Sequence, residues 1–267
     1  MQASQKIGVF DSGVGGLTVM KALMQRLPAE DLVYLGDTAR VPYGTKSAEV
    51  VTRYSLLNAR FLLKHDVKAI VIACNTASAA SLPVLENELP VPVVGVIGPG
   101  AQAAARATKS GRVGVIGTQG TIRSEAYQRA LREARPEVNV VARACPLFVP
   151  LAEEGWTEGG DEVVNAVAKR YLADLSGGEI DTLVLGCTHY PLLRAAIAHV
   201  MGPGVTLVDS ADATAESVEA LLRARGLIRA SGQGSHRYFV TDLPERFAEV
   251  GARFLGRKVD GAEQVDL

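Results

Sequence analysis

The chain has 267 residues, enough for one large domain or two small ones with a substantial core. Its 48% hydrophobic and 21% charged residues are those of a soluble globular protein, and a formal net charge of −1 leaves no basic footprint for sequence-independent nucleic-acid binding. Three cysteines are too few for a disulfide framework, no apolar stretch approaches the roughly 18–20 residues of a membrane span, and Met1–Lys6 runs into the first strand without room for a signal peptide. The expectation is a cytoplasmic protein with neither nucleic-acid nor membrane partners.

Strand-like runs fall at 6–10, 32–36, 68–73, 93–97, 112–116, 138–142, 181–186, 205–208 and 237–240. Between them lie helical stretches such as 16–27, 47–65, 76–88, 120–134, 161–175 and 212–225, many opening after Ser, Thr, Asp or Gly. This alternation predicts βαβ units and mostly parallel sheets, an α/β fold. Gly98-Pro99-Gly100, after Val96-Ile97, reads as a hinge because it breaks both element types. A second crossing is expected near Val208-Asp209-Ser210. The predicted first domain is therefore discontinuous, 1–97 plus 209–267, with 98–208 inserted as a second domain. Residues 256–267 are polar enough to fray.

Candidate chemistry begins with Asp11-Ser12-Gly13-Val14-Gly15-Gly16, which follows the first strand and opens a helix. Its glycines permit close backbone approach to an anion. Thr18 stands where Gly-x-Gly-x-x-Gly would need its last glycine, so a dinucleotide site is not supported. Asp11 suits a helix cap as well as a catalytic group. The segment Asp37–Gly44 follows the second strand and reads as a plain turn or as a substrate wall at a strand's carboxyl end.

Two stretches repeat one design. Residues 69–78 end a β-branched run in Ala73-Cys74-Asn75-Thr76, and residues 182–191 end one in Gly186-Cys187-Thr188-His189. Continuous apolar runs that stop at polar residues mark parallel strands buried on both faces, and ligands bind beyond their carboxyl ends. A second echo, Ile7–Gly13 against Val113–Gln119, recurs at a similar separation and points to a duplicated α/β half. A helix N-terminus beyond each strand is expected to lower a thiol's pKa from about 8.5 towards neutrality. Cys74 and Cys187 are thus read as two acid/base groups, one on each side of a substrate. Cys145 lacks that context and reads as packing.

His189, two residues past Cys187, either shares a proton with the thiol or satisfies a local hydrogen bond. Glu153 reads as a solvated helix position or a catalytic one. Cys-x-His with one further thiol lacks the paired spacing of a closed zinc site, so no metal is expected.

Together Phe10–Leu17, Gly36–Gly44, Ala73–Ser78, Gly117-Thr118 with Thr121-Ile122, and Leu185–Leu192 resemble the glutamate racemases, cofactor-independent enzymes of bacterial cell-wall synthesis. The resemblance runs from residue 7 to about 255. The cysteine motifs alone indicate the wider aspartate/glutamate racemase superfamily; Tyr43-Gly44 and the opening loop narrow it to glutamate. It implies two pseudo-symmetric three-layer α/β domains with the active site in the cleft between them. It further implies a homodimer, no cofactor, and racemisation by two thiols that supplies D-glutamate for peptidoglycan. By the same resemblance Asp11 tunes Cys74, and His189 tunes Cys187, with Glu153 in the catalytic set. Asn75, Thr76, Thr118 and Thr121 surround the α-carboxylate, Ser12 and Thr188 hold the ammonium with Asp11, and Tyr43 and Gly44 receive the γ-carboxylate. Three alternatives stay open: another two-cysteine racemase such as one for aspartate, a hydrolase using Cys187 and His189, and a non-catalytic amino-acid-binding module.

Overall fold

Residues 1–267 are described by a computed structural model in which strands and helices alternate from end to end. The chain runs β1 (Lys6–Asp11), α1 (Leu17–Arg26), β2 (Leu32–Gly36), α2 (Ala48–Leu63), β3 (Val67–Ile72), α3 (Asn75–Glu88) and β4 (Val93–Gly95). It continues through α4 (Ile97–Ala107), β5 (Arg112–Gly117), α5 (Gln119–Arg123), α6 (Ala126–Ala134), β6 (Asn139–Ala144), α7 (Phe148–Glu153) and α8 (Glu162–Leu172). Then come β7 (Thr182–Gly186), α9 (Arg194–Met201), β8 (Thr206–Asp209), α10 (Ala211–Ala224), β9 (His236–Val240), α11 (Pro244–Leu255) and β10 (Ala262–Gln264).

The strands form two sheets, one ordered β10-β9-β2-β1-β3-β4 and the other β6-β5-β7-β8, and every pairing is parallel. The order β2-β1-β3-β4 is repeated strand for strand as β6-β5-β7-β8, the architecture expected of a duplicated half. Period-two alternation builds a layer on each face of each sheet. In the first lobe Val9, Tyr34 and Val71 pack with α1 and α11, while Phe10, Leu35 and Ile72 pack with α2 and α3. In the second, Val113, Val115 and Val184 face Ile97, Ala101 and Leu131, and Leu183 and Leu185 join Phe148, Val164 and Tyr190. Lys68 lies within buried β3; its ammonium donates to Glu30 Oε2 (2.5 Å), Ala3 O (2.7 Å) and Leu227 O (2.8 Å), so all three protons are used.

Register places the chemistry. β1 pairs with β3, with Phe10 opposite Ile72, so the loop beginning at Asp11 lies beside the turn at Cys74. β5 pairs with β7, with Gly117 opposite Gly186, and sets Thr118 beside Cys187 in the same way.

Local readings fail at three places. Gly98-Pro99-Gly100 is not a break but the first turn of α4, with Gly100 N donating to Val96 O at 3.1 Å. Proline fits there because the first turn's N–H groups have no intrahelical acceptor to lose. The strand expected at 93–97 accordingly stops at Gly95. The helix expected at 120–134 is two, α5 and α6, separated at Glu125, where φ is 55°. The polar tail does not simply fray: β10 adds a strand to β9, using backbone hydrogen bonds that do not require apolar side chains.

Candidate active site

Cys74 sits at the N-cap of α3, where Ala77 N donates to its sulfur at 3.4 Å. The thiol points towards Ser12 Oγ, 3.7 Å away. This geometry is the helix start expected to acidify the thiol, yet the balance runs the other way. Burial pushes Cys74 up to about 12, and the Asp11 carboxylate adds to the rise, outweighing the Ala77 N–H and the Ser12 hydroxyl. The expectation of a near-neutral thiol pKa at Cys74 is therefore corrected: Cys74 rests as a neutral thiol.

Cys187 ends β7 in a different kind of turn. No regular helix begins at once; a short 3-10 turn at Tyr190–Leu193 precedes α9, and Tyr190 N donates to Cys187 O at 3.1 Å. Thr188 and His189 follow Cys187 in a turn, where Asn75 and Thr76 follow Cys74 in a helix. His189 Nδ1 lies 3.8 Å from Cys187 Sγ and 3.4 Å from Thr188 Oγ1, while Nε2 is 2.9 Å from Glu153 Oε1 at the end of α7. Burial by itself would pull the imidazole down. Its hydrogen bonds and charge interactions with Cys187 and Glu153 prevail, and His189 is pushed up to about 10. Glu153 shifts in the complementary direction: burial raises it, but the bond to His189 and its charge hold the carboxyl below the ordinary value. An imidazolium beside Sγ stabilises negative charge there.

The lobes meet over these turns. A Cβ at Gly15 would run into Thr188 Oγ1 and come within 2.6 Å of the His189 ring, so only glycine allows the first lobe's opening loop this close. Across the cleft, hydroxyls from both lobes form a triangle: Thr76–Thr118 2.8 Å, Thr76–Thr121 3.2 Å and Thr118–Thr121 3.1 Å. Thr76 lies in the first turn of α3, and Thr118 and Thr121 at the start of α5.

Of the six buried side-chain polar atoms without a protein partner, two lie beside Cys74. Asp11 Oδ2 accepts from Gly13 N at 2.9 Å, but Oδ1 accepts nothing; Asn75 Oδ1 accepts from Tyr127 Oη at 2.7 Å, but Nδ2 donates to nothing. A lone acceptor and a lone donor beside Cys74 complement an ammonium and a carboxylate, and leaving them unpaired would cost about 1–3 kcal/mol each.

Of the residues singled out from the sequence, Asp11, Ser12, Cys74, Asn75, Thr76, Thr118, Thr121, Glu153, Cys187, Thr188 and His189 join this network, and Gly44 packs against Thr118. Tyr43 differs. Its hydroxyl is buried, donating to Asp37 Oδ2 and accepting from Asn58 Nδ2 at 3.1 Å, so it is committed within the first lobe. Any contact from residue 43 to a ligand must come from its backbone. Asp37 organises this loop, accepting also from Thr241 Oγ1 (3.0 Å) and pairing with Arg40 Nε (3.1 Å). Cys145 is fully buried beneath Tyr190, in accord with a packing role. Tyr127 escaped sequence reading because a tyrosine in an amphipathic helix looks like any core residue. No group of three or more His, Cys, Asp or Glu side chains is arranged to hold a metal ion.

Residues 7–218 match the sequence profile of the Asp/Glu/Hydantoin racemase family. A glutamate racemase of Geobacter metallireducens is 60% identical over 98% of this chain and 96% of its own length. Among solved structures, a glutamate racemase from Bacillus anthracis superposes with a TM-score of 0.95 at 41% identity, covering 100% of this chain and 99% of that one. A glutamate racemase from Francisella tularensis, solved in complex with D-glutamate, superposes with a TM-score of 0.92 at 38% identity, covering 99% and 98%.

Proposed function

The chain belongs to the glutamate racemase family, and from that premise we propose that it interconverts L- and D-glutamate by two-thiol acid/base catalysis without a cofactor. Racemisation needs a base to remove the Cα proton from one face and an acid to return a proton to the other. Cys187, beside the His189 imidazolium, serves as the base towards one face, and Cys74, held neutral by burial, as the acid towards the other. The resemblance assigns Cys187 to the L enantiomer and Cys74 to the D enantiomer; after one turnover the protonation states are exchanged.

The observation that carries this reading is the pair of buried, partnerless atoms, Asp11 Oδ1 and Asn75 Nδ2, beside Cys74. The substrate ammonium completes Asp11, with Ser12 and Thr188 as neighbours, and offsets the carboxylate charge that keeps Cys74 from ionising. The α-carboxylate completes Asn75 and engages Thr76, Thr118 and Thr121. These donors stabilise the carboxylate as negative charge moves onto it in the carbanion-like transition state. The γ-carboxylate lies against the backbone of Tyr43 and Gly44. Residues 1–97 plus 209–267 form one domain and 98–208 the other, closing over the substrate. Action in the cytoplasm as a homodimer, supplying D-glutamate for peptidoglycan, rests on family resemblance.

The test is to incubate either glutamate enantiomer in deuterated water without pyridoxal phosphate, metal or nucleotide, following optical rotation and Cα isotope content. Both enantiomers should approach a racemate, with deuterium at Cα of the newly formed one. Product that keeps the original proton would refute separate bases on the two faces. Activity lost to a chelator and restored by metal would refute the cofactor-free mechanism.

A further inference from the structure

We propose that Tyr127 is a positioning residue that sets the Asn75 amide for the substrate's α-carboxylate and does so only while the two lobes are closed. This inference rests on the proposed binding of that carboxylate at Asn75. An asparagine amide can present either its oxygen or its nitrogen, and an isolated Asn75 would do both. Here Tyr127 Oη donates to Oδ1 at 2.7 Å, which turns Nδ2, buried and unpartnered, towards the ligand. Tyr127 is only 1% exposed, and burial raises its phenol pKa, so the donor proton is retained at any working pH.

The placement of this tyrosine explains why closure matters. Asn75 opens α3 in the first lobe, whereas Tyr127 belongs to α6 in the second, so their hydrogen bond crosses the cleft. The hydroxyl also lies where the chain passes between the sheets. A Cβ at Gly100, in the first turn of α4, would meet Ser210 Cβ at 3.0 Å and Tyr127 Oη at 3.2 Å. Ser210 precedes α10 and lies against the same point of Gly100 as the phenol. Both connections, β4 to α4 and β8 to α10, thus converge on one hydroxyl. The tyrosine ring packs against Gly186, where a Cβ would come within 3.0 Å of it, immediately before Cys187. Separation of the lobes would release Asn75 and move the backbone behind Cys187 together. The amide is therefore aligned when both thiols are in place, and free to rotate when they are not.

Tyr127→Phe keeps the ring and removes the donor. In the full-length protein it should lower kcat/KM for glutamate by about tenfold or more, the scale for a hydrogen bond that supports a charged group. The loss should fall on kcat as well as KM, because charge on the α-carboxylate grows in the transition state. Asn75→Ala should cost at least as much, and the double variant should be no slower than Asn75→Ala alone. A folded Tyr127→Phe within twofold of wild type, or losses that multiply in the double variant, would overturn the proposal. If Tyr127→Phe does not fold, the side-chain amide resonances of Asn75 in ¹⁵N-labelled wild type decide. A dispersed, slowly exchanging pair that shifts on adding D-glutamate supports it; a pair at the random-coil position, unmoved by D-glutamate, overturns it. Wild-type turnover in the same assay separates the two questions: its absence would refute the reaction, whereas its presence with Tyr127→Phe at full rate would refute only the role of Tyr127.

Discussion

The Cys74 and Cys187 turns end equivalent strands, β3 and β7, in two copies of one four-strand order, but their surroundings carry opposite charge. Cys74 caps a helix with Asp11 at hand; Cys187 precedes a non-helical turn filled by Thr188 and by a histidine braced on Glu153. A helix start is the environment usually invoked to acidify a cysteine, yet it is the helix-capping thiol that stays protonated. Complete burial next to a carboxylate outweighs the Ala77 N–H and the Ser12 hydroxyl. The repeated scaffold supplies the geometry, one sulfur from each lobe. The unlike neighbours set the charge around each sulfur, which in the proposed two-thiol mechanism would distinguish acid from base.

The largest expected effect comes from removing either sulfur. Cys74→Ser and Cys187→Ser should each lower racemisation by about a thousandfold or more, since a serine hydroxyl is too weakly acidic to replace a tuned thiol. Cys145→Ser should remain within about twofold of wild type, because buried Cys145 makes only a 3.8 Å contact with Arg143 O. The two active-site variants should nevertheless differ. Given a glutamate analogue with a leaving group at Cβ, each should eliminate from one enantiomer and spare the other. If both process the same enantiomer, the sulfurs do not flank the substrate and the comparison of the two turns fails.

Next in size is the imidazolium. His189→Gln should reduce kcat/KM by roughly a hundredfold, within the range for loss of a group that tunes an acid or base. A racemisation has an equilibrium constant of unity, so kcat/KM must fall equally from either enantiomer, and any skew is confined to kcat. Elimination is free of that constraint. With the β-substituted analogue, His189→Gln should suppress reaction of the enantiomer handled by Cys187 and leave the other within a few-fold. Equal losses for both would mean that His189 serves the whole pocket rather than one side of it.

These contrasts were legible in the sequence to the extent that they are local. Nine of the strands are continuous apolar or alternating runs with turn residues at their ends, and the cysteine turns stand out because each run stops in a cluster of hydroxyls and amides. What escaped depends on contacts between distant segments. The raised pKa of Cys74 comes from the closed interior and from Asp11, whereas the helix dipole that predicted the reverse is visible from spacing alone. Tyr43 is expected with Gly44 at the γ-carboxylate, and nothing local shows that Asp37 and Asn58, from separate elements, claim its hydroxyl. Gly98-Pro99-Gly100 looks the same on paper whether it ends a helix or starts one. The edge strand β10 pairs through its backbone and has no apolar signature.

The smallest effect tests the brace on the histidine. Glu153 touches Cys187 only through His189, so Glu153→Gln should cost about tenfold in rate, the scale of one charge-assisted hydrogen bond. It should also change the shape of the pH profile. His189 is raised from 6.5 to about 10 in the folded protein, so its contribution to stability is complete below pH 6.5 and disappears as pH rises through about 10. Glu153 is shifted downward, so its contribution is complete above its ordinary value of 4.5 and disappears as pH falls through the lowered one. Activity that depends on the imidazolium should therefore decline as pH passes about 10, the limb belonging to His189 braced on Glu153. Glutamine cannot hold the proton on His189 by charge, so in Glu153→Gln that alkaline limb should move to lower pH. The elimination supported by Cys74, which does not draw on the imidazolium, should keep its own wild-type pH profile. A uniform tenfold loss with an unmoved limb would reduce Glu153 to packing, leaving Cys187 alone as the source of the imidazolium's stability.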